Sequence, residues 1–122
     1  MTAVTFLTEQ ATTFLCDADE VAEAGVKCVR LPNRHPIAVF RIRGQFYATD
    51  DRCTHAAASL SQGDIDGDVV TCPVHSGAFH IPTGKALCFP VTEDLKTYRV
   101  VVKEGKVFAV FADRAVSDGA NS

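Results

Sequence analysis

Two short pairs of metal-ligating residues, Cys53-Thr54-His55 and Cys72-Pro73-Val74-His75, constrain this chain more than anything else in it. Each pair offers one thiolate and one imidazole. Residues 56–71 separate them, so a fold that uses all four must bring two distinct loops to one point. Together they make a four-ligand Cys2His2 metal site. Thiolate favours soft or sulfide-bearing iron, and imidazole suits iron and zinc alike. The order of the ligands is informative. Common zinc fingers group cysteine with cysteine and histidine with histidine, whereas each loop here carries one of each. A tetrahedral structural zinc would satisfy the same four atoms, and it stands as the alternative. Small zinc modules usually need the metal because they lack a core, and this chain can build one without it.

The mixed order is the one expected where two histidines replace two cysteines on one iron of a [2Fe–2S] cluster. The neighbouring residues extend the motif. They read Leu60-Ser61-Gln62-Gly63, Gly67, Ser76-Gly77-Ala78-Phe79, Thr83-Gly84-Lys85, Pro90-Val91 and Leu95-Lys96-Thr97-Tyr98. With the two pairs, this run resembles the Rieske ferredoxins of bacterial aromatic-ring-hydroxylating dioxygenase systems, of the naphthalene and biphenyl type. The resemblance implies a Rieske-type [2Fe–2S] cofactor held by Cys53, His55, Cys72 and His75. It further implies that Cys53 and Cys72 bind the iron that stays ferric, and that His55 and His75 bind the iron that changes state. Two residues depart from the family pattern: Ala56 stands where Gly is usual, and His80 where Asp is common. Glycine often marks a positive φ, so Ala56 bears on the loop conformation rather than on ligation.

Rieske centres span roughly −150 to +300 mV, tuned by charge, hydrogen bonds to the sulfurs and exposure. High-potential relatives carry a further cysteine in each loop, forming a disulfide, and place Ser and Tyr hydroxyls on the cluster sulfurs. The corresponding positions here hold Ala58, Val74, Gly77 and Phe79. None of the four can form the bridge or donate a hydroxyl proton. A reduced cluster is then less stabilised, and a midpoint on the order of −150 mV is expected. A charged His80 close to the cluster would oppose that trend. Phe79 and Phe89 could shield the cluster or simply fill the core.

The 122 residues suit one domain. The sequence predicts a domain over residues 1–112, a cluster-binding subdomain over about 50–90, and a frayed tail over 113–122. Hydrophobic residues at 47% and charged ones at 22% are ordinary for a soluble protein. No apolar run is long enough to span a bilayer. The first residues have no basic start and include Glu9, which fits a signal peptide poorly. A net charge of −3 argues against nucleic acid. Cys16, Cys28 and Cys88 fit no metal spacing and read as small buried hydrophobes. Thiols and thiolate ligation point to the cytoplasm. Asp50, Asp51, Asp64, Asp66 and Asp68 bracket the first loop, and could steer a basic partner face or be ordinary turn residues.

The scaffold reads as all-β. Strands are expected over residues 4–7, 26–31 and 69–71. Hairpins are expected over 37–43 with 45–49, turning at Gly44, and over 97–103 with 106–111, turning at Glu104-Gly105. One short acidic helix is expected over residues 17–24, stopped by Gly25. The resemblance sharpens this to the Rieske iron–sulfur fold: stacked antiparallel sheets with a two-loop cluster-binding subdomain. Pro73 and Pro82 would stiffen the loops.

The functional expectation is an electron-transfer protein rather than an enzyme. It would carry single electrons from an NADH-dependent, flavin-containing ferredoxin reductase to a terminal oxygenase, as a cytoplasmic monomer without membrane or nucleic-acid partners. The chain has no Gly-x-Gly-x-x-Gly fingerprint. After ligation only His35 and His80 remain, too scattered for a mononuclear iron triad. The alternatives are a small Rieske subunit of another redox enzyme, of the nitrite-reductase type, and an iron–sulfur redox sensor.

Overall fold

The computed structural model describes residues 12–32, 34–54, 58–74, 77–88 and 93–111. Among the described residues nine strands run in chain order: β1 (Thr12–Asp17), β2 (Gly25–Val29), β3 (Ile37–Ile42), β4 (Gln45–Asp50), β5 (Asp64–Asp66), β6 (Val69–Thr71), β7 (Ala78–His80), β8 (Thr97–Lys103) and β9 (Lys106–Val110). They form a six-stranded antiparallel sheet in the order β1-β9-β8-β4-β3-β2 and a three-stranded sheet in the order β5-β6-β7. The expected all-β fold is therefore present. The strand expected over residues 4–7 and the tail over 113–122 lie outside the described residues.

The large sheet consists of two three-stranded units. Two register pairs, Ala48↔Tyr98 and Thr49↔Thr97, join them between β4 and β8. Both expected hairpins form with two-residue turns, where Ile42 faces Gln45 and Lys103 faces Lys106. Arg43 and Gly44 have φ of 50° and 78°, and Glu104 and Gly105 have 53° and 75°. Two consecutive positive φ values match the right-handed twist of the flanking strands. The glycine is what makes each second position inexpensive.

The helix expected over residues 17–24 is corrected to one 3-10 turn, Ala18–Glu20. Asp17 and Cys16 are already committed to β1, paired with Lys106 and Val107 of β9. At the far side, Ala24 takes a φ of 60° and donates its N–H to the Arg41 carbonyl at 2.7 Å. Too few residues remain for a second turn. A further 3-10 turn, Leu60–Gln62, follows the first ligand loop.

The core divides along β3. Side chains of a strand alternate between its faces, and β3 is buried on both. Ala38, Phe40 and Ile42 enter one cluster with Leu60, Val70, Phe79, Ile81 and Leu95. Ile37 and Val39 enter the other with Leu15, Val29, Val107 and Ala109. This explains why Ile37-Ala38-Val39-Phe40 is an unbroken apolar run rather than an alternating one.

Candidate metal centre

Cys53 and Cys72 are buried, at 3% and 2% exposure, and both belong to the Ala38/Phe40 cluster. They occupy matching positions in two hairpin-like loops. The Cys53 N–H donates to the Ala58 carbonyl at 2.9 Å, and the Cys72 N–H donates to the Gly77 carbonyl at 2.7 Å. Each bond spans five residues. Just outside each bond the backbones pair, Arg52 with Ser59 and Thr71 with Ala78. In the sequence each cysteine comes first and its histidine follows two or three residues later. His55 and His75 lie outside the described residues, as do Ala56 and Phe89. The structure accordingly places the two thiol members of the expected set in one buried cluster.

The surroundings suit thiolate ligation to a group with a covered side and an open one. Neither thiol is in a disulfide. On the covered side lie Leu60, Val70 and the fully buried Phe79. On the open side Val74 is 61% exposed and Leu87 48%. Thr54 donates its hydroxyl to the Glu93 carbonyl at 2.9 Å, tying the first loop to the segment before β8.

Two glycines of the extended motif have steric reasons. At Gly63 a Cβ would stand 2.0 Å from the Thr71 carbonyl oxygen, one residue before Cys72. Gly84 has a φ of 78°, and its Cβ would meet the Leu95 carbonyl oxygen at 2.4 Å. Gly84 also accepts the Leu95 N–H at 2.7 Å. Both glycines therefore mark close backbone approaches around the second loop.

His80 does not reach toward the loop tip. It pairs with Val69, two register positions back from Thr71↔Ala78. Its Nδ1 lies 2.9 Å from the Thr83 hydroxyl, and its Nε2 4.0 Å from Asp68. Asp68 in turn accepts from Arg43 at 2.6 Å.

The remaining cysteines separate. Cys16 is buried in the Leu15/Val107 cluster as expected, and burial pushes its thiol above the ordinary value, with Glu20 adding to the effect. Cys28 is half-buried and donates its S–H to Asp51 at 3.6 Å. Burial and then the Asp51 charge push that thiol up. Cys88 is exposed, contrary to the expectation of a buried hydrophobe. It follows Leu87, whose N–H bonds the Ala78 carbonyl at the rim of the second loop, where no core face is on offer.

The acidic residues need a similar correction. Asp64 and Asp66 are exposed, but Asp51 is 4% exposed and cannot belong to a docking surface. Its carboxylate accepts the Ser61 N–H at 2.7 Å, the Ser59 hydroxyl and the Cys28 thiol. Asp50 accepts the Tyr98 hydroxyl at 2.7 Å. Sequence spacing gave no sign of these partners beyond placing two serines in the loop's return limb.

Residues 11–99 match the family model described as the Rieske [2Fe-2S] domain. The chain is similar to ferredoxin CarAc of Metapseudomonas resinovorans, with 45% identity over 94 residues, covering 77% of this chain and 88% of that protein. It is also similar to the 3-phenylpropionate/cinnamic acid dioxygenase ferredoxin subunit of Photorhabdus laumondii, with 43% identity over 101 residues, covering 82% and 94%. Among solved structures, a chain from the complex of reduced oxygenase and oxidized ferredoxin in carbazole 1,9a-dioxygenase superposes with a TM-score of 0.78. It is 42% identical and covers 83% of this chain and 94% of its own.

Proposed function

This chain belongs to the Rieske [2Fe–2S] domain family, and from that premise we propose that it carries single electrons from a flavin-containing, NADH-dependent ferredoxin reductase to a terminal aromatic-ring-hydroxylating oxygenase. It is an electron-transfer component of such a dioxygenase system, not its catalytic subunit, as are the ferredoxin components it resembles. The relative in the carbazole system is held in a complex with its oxygenase.

A Rieske cluster supplies one-electron storage, because one of its irons cycles between the ferric and ferrous states. The residues present fit such a group. Cys53 and Cys72 offer two buried soft donors within one apolar cluster. We assign the other two ligand positions to His55 and His75, two residues beyond Cys53 and three beyond Cys72 in the sequence. Phe79 and Leu60 exclude water behind the thiols.

The observation that carries the reading is the contrast across the second loop: Cys72 is 2% exposed, and Val74, two residues on, is 61% exposed. Ligands at a loop with one face in the core and one at the surface let a docked partner approach the metal closely. Among the described residues no helix is long and apolar enough to cross a membrane. A cytoplasmic, monomeric carrier is part of the same proposal, since thiolate ligands and cysteines outside any disulfide suit a reducing compartment.

The test is reconstitution. Purified protein, mixed with the reductase and oxygenase of a related dioxygenase system, should restore NADH-dependent hydroxylation in proportion to its concentration. A brown, reducible protein that supports no turnover with any such pair would count against the carrier role.

A further inference from the structure

The two ligand loops are anchored differently. The second rises from a continuous ladder, in which Val69↔His80, Val70↔Phe79 and Thr71↔Ala78 pair in sequence and β5 supports β6 from the other side. Among the described residues the first has only the isolated bridge Arg52↔Ser59. Below that bridge its limbs part: Asp50 pairs with Ile37 of β3, and residues Leu60–Gln62 turn as a 3-10 segment. A ladder is missing where the loop most needs one.

Asp51 stands in the gap. It is one of two buried polar or charged residues among those described. Its carboxylate accepts the Ser61 N–H at 2.7 Å through one oxygen. The other oxygen takes the Ser59 hydroxyl and the Cys28 thiol, the latter at 3.6 Å. Its backbone is used as well. The Asp51 carbonyl accepts the Leu60 N–H at 2.6 Å, and its N–H donates to the Pro36 carbonyl at 3.0 Å. A buried carboxylate is tolerated only when so satisfied.

We propose that Asp51 is a positioning residue for the first ligand loop, its carboxylate tying the limb that enters Cys53 to the limb that leaves Ala58. This rests on Cys53 being a ligand. The clamp replaces the strand ladder that supports Cys72 and fixes where the Cys53 thiolate stands. It also keeps a buried negative charge two residues from that thiolate, which disfavours an added electron there.

The test uses cluster-loaded protein and three readouts: iron content with the visible spectrum, midpoint potential, and the rate of iron loss to a chelator. Asp51→Asn keeps the shape and removes the charge. It should retain the cluster, raise the reduced-to-oxidised ratio at fixed potential about tenfold, or ~59 mV for one electron, and release iron several-fold faster. Ser59→Ala leaves the charge and removes one tie, so iron release should quicken while the potential stays close to that of the parent. A loaded Asp51→Asn protein with parental potential and parental release rate would reduce Asp51 to a fold-stabilising residue and overturn the proposal. If Asp51→Asn does not fold, an unchanged release rate in Ser59→Ala overturns it instead. A parent protein that binds no iron would overturn the ligand assignment beneath both.

Discussion

The backbone N–H of Cys72 donates to the Gly77 carbonyl at 2.7 Å, closing a loop whose counterpart runs from Cys53 to Ala58. Equivalent closures at equivalent offsets give each loop one cysteine, the proposed ligand, at its entry. Substituting any of Cys53, His55, Cys72 or His75 by Ala should therefore abolish the visible spectrum and the rhombic EPR signal of the reduced protein. Cys16→Ala, Cys28→Ala and Cys88→Ala should keep both. Loss of colour in any of those three would redraw the ligand set.

The midpoint potential should lie at the low end of the Rieske range, on the order of −150 mV. Val74 and Ala58 allow no bridge between the loops, and Phe79 is an apolar ring, fully buried in the cluster that holds both cysteines. Protein-film voltammetry measures this directly. A value above about +100 mV would contradict the argument from missing hydroxyl donors.

His80→Gln should leave that potential essentially unchanged. The imidazole is held between Thr83 and Asp68, two strand positions behind the Thr71↔Ala78 pair at the base of the loop. Those positions place it about 7 Å further back along the strand. An upward or downward shift as large as that expected for Asp51→Asn would show that His80 acts on the cluster after all.

Gly84→Ala should destabilise the protein by at least ~1–3 kcal/mol, the cost of a non-glycine residue in a strained backbone region. The added methyl would also press on the Leu95 carbonyl oxygen. Urea unfolding of the two proteins at equal cluster occupancy gives the comparison, and an unchanged midpoint denaturant concentration would refute it.

Thiol labelling should distinguish the three other cysteines. Cys88, exposed, should alkylate first; Cys28 should follow slowly, and Cys16 last. Burial and Asp51 raise the Cys28 value, so the neutral thiol persists where an ordinary one, near pH ~8.5, would be half ionised. Its labelling rate should keep climbing above that pH instead of levelling off. Peptide mass spectrometry after timed quenching reads each site.

Much of this architecture is legible in the residues. The Arg43-Gly44 and Glu104-Gly105 turns declare themselves, because positive φ at two successive positions selects few sequences. The ligand pairs declare the loops. Less visible were β5 and β7. Asp64-Ile65-Asp66 is poor in strand formers, and Ala78-Phe79-His80 is too short for a pattern. Both exist because they pair with β6, a tertiary fact. The helix expected near residue 20 lost to β1, which is held through Asp17 by β9. Asp51 looked like its neighbour Asp50. Only the return of Ser59 and Ser61 to its carboxylate separates them, and no local rule encodes that return.

The division of the core along β3 bears on how the protein is assembled. The face carrying Ile37 and Val39 packs on Leu15, Val107 and Ala109, with no ligand residue among them. That half can close before any iron arrives. The opposite face, with Phe40 and Ile42, is shared with Cys53 and Cys72, so under the proposed ligation its packing would be completed by the metal. Under that ligation biogenesis would have a built-in order, in which a preformed scaffold receives its cofactor at one end. Losing the cofactor would loosen that end while leaving a refillable apoprotein.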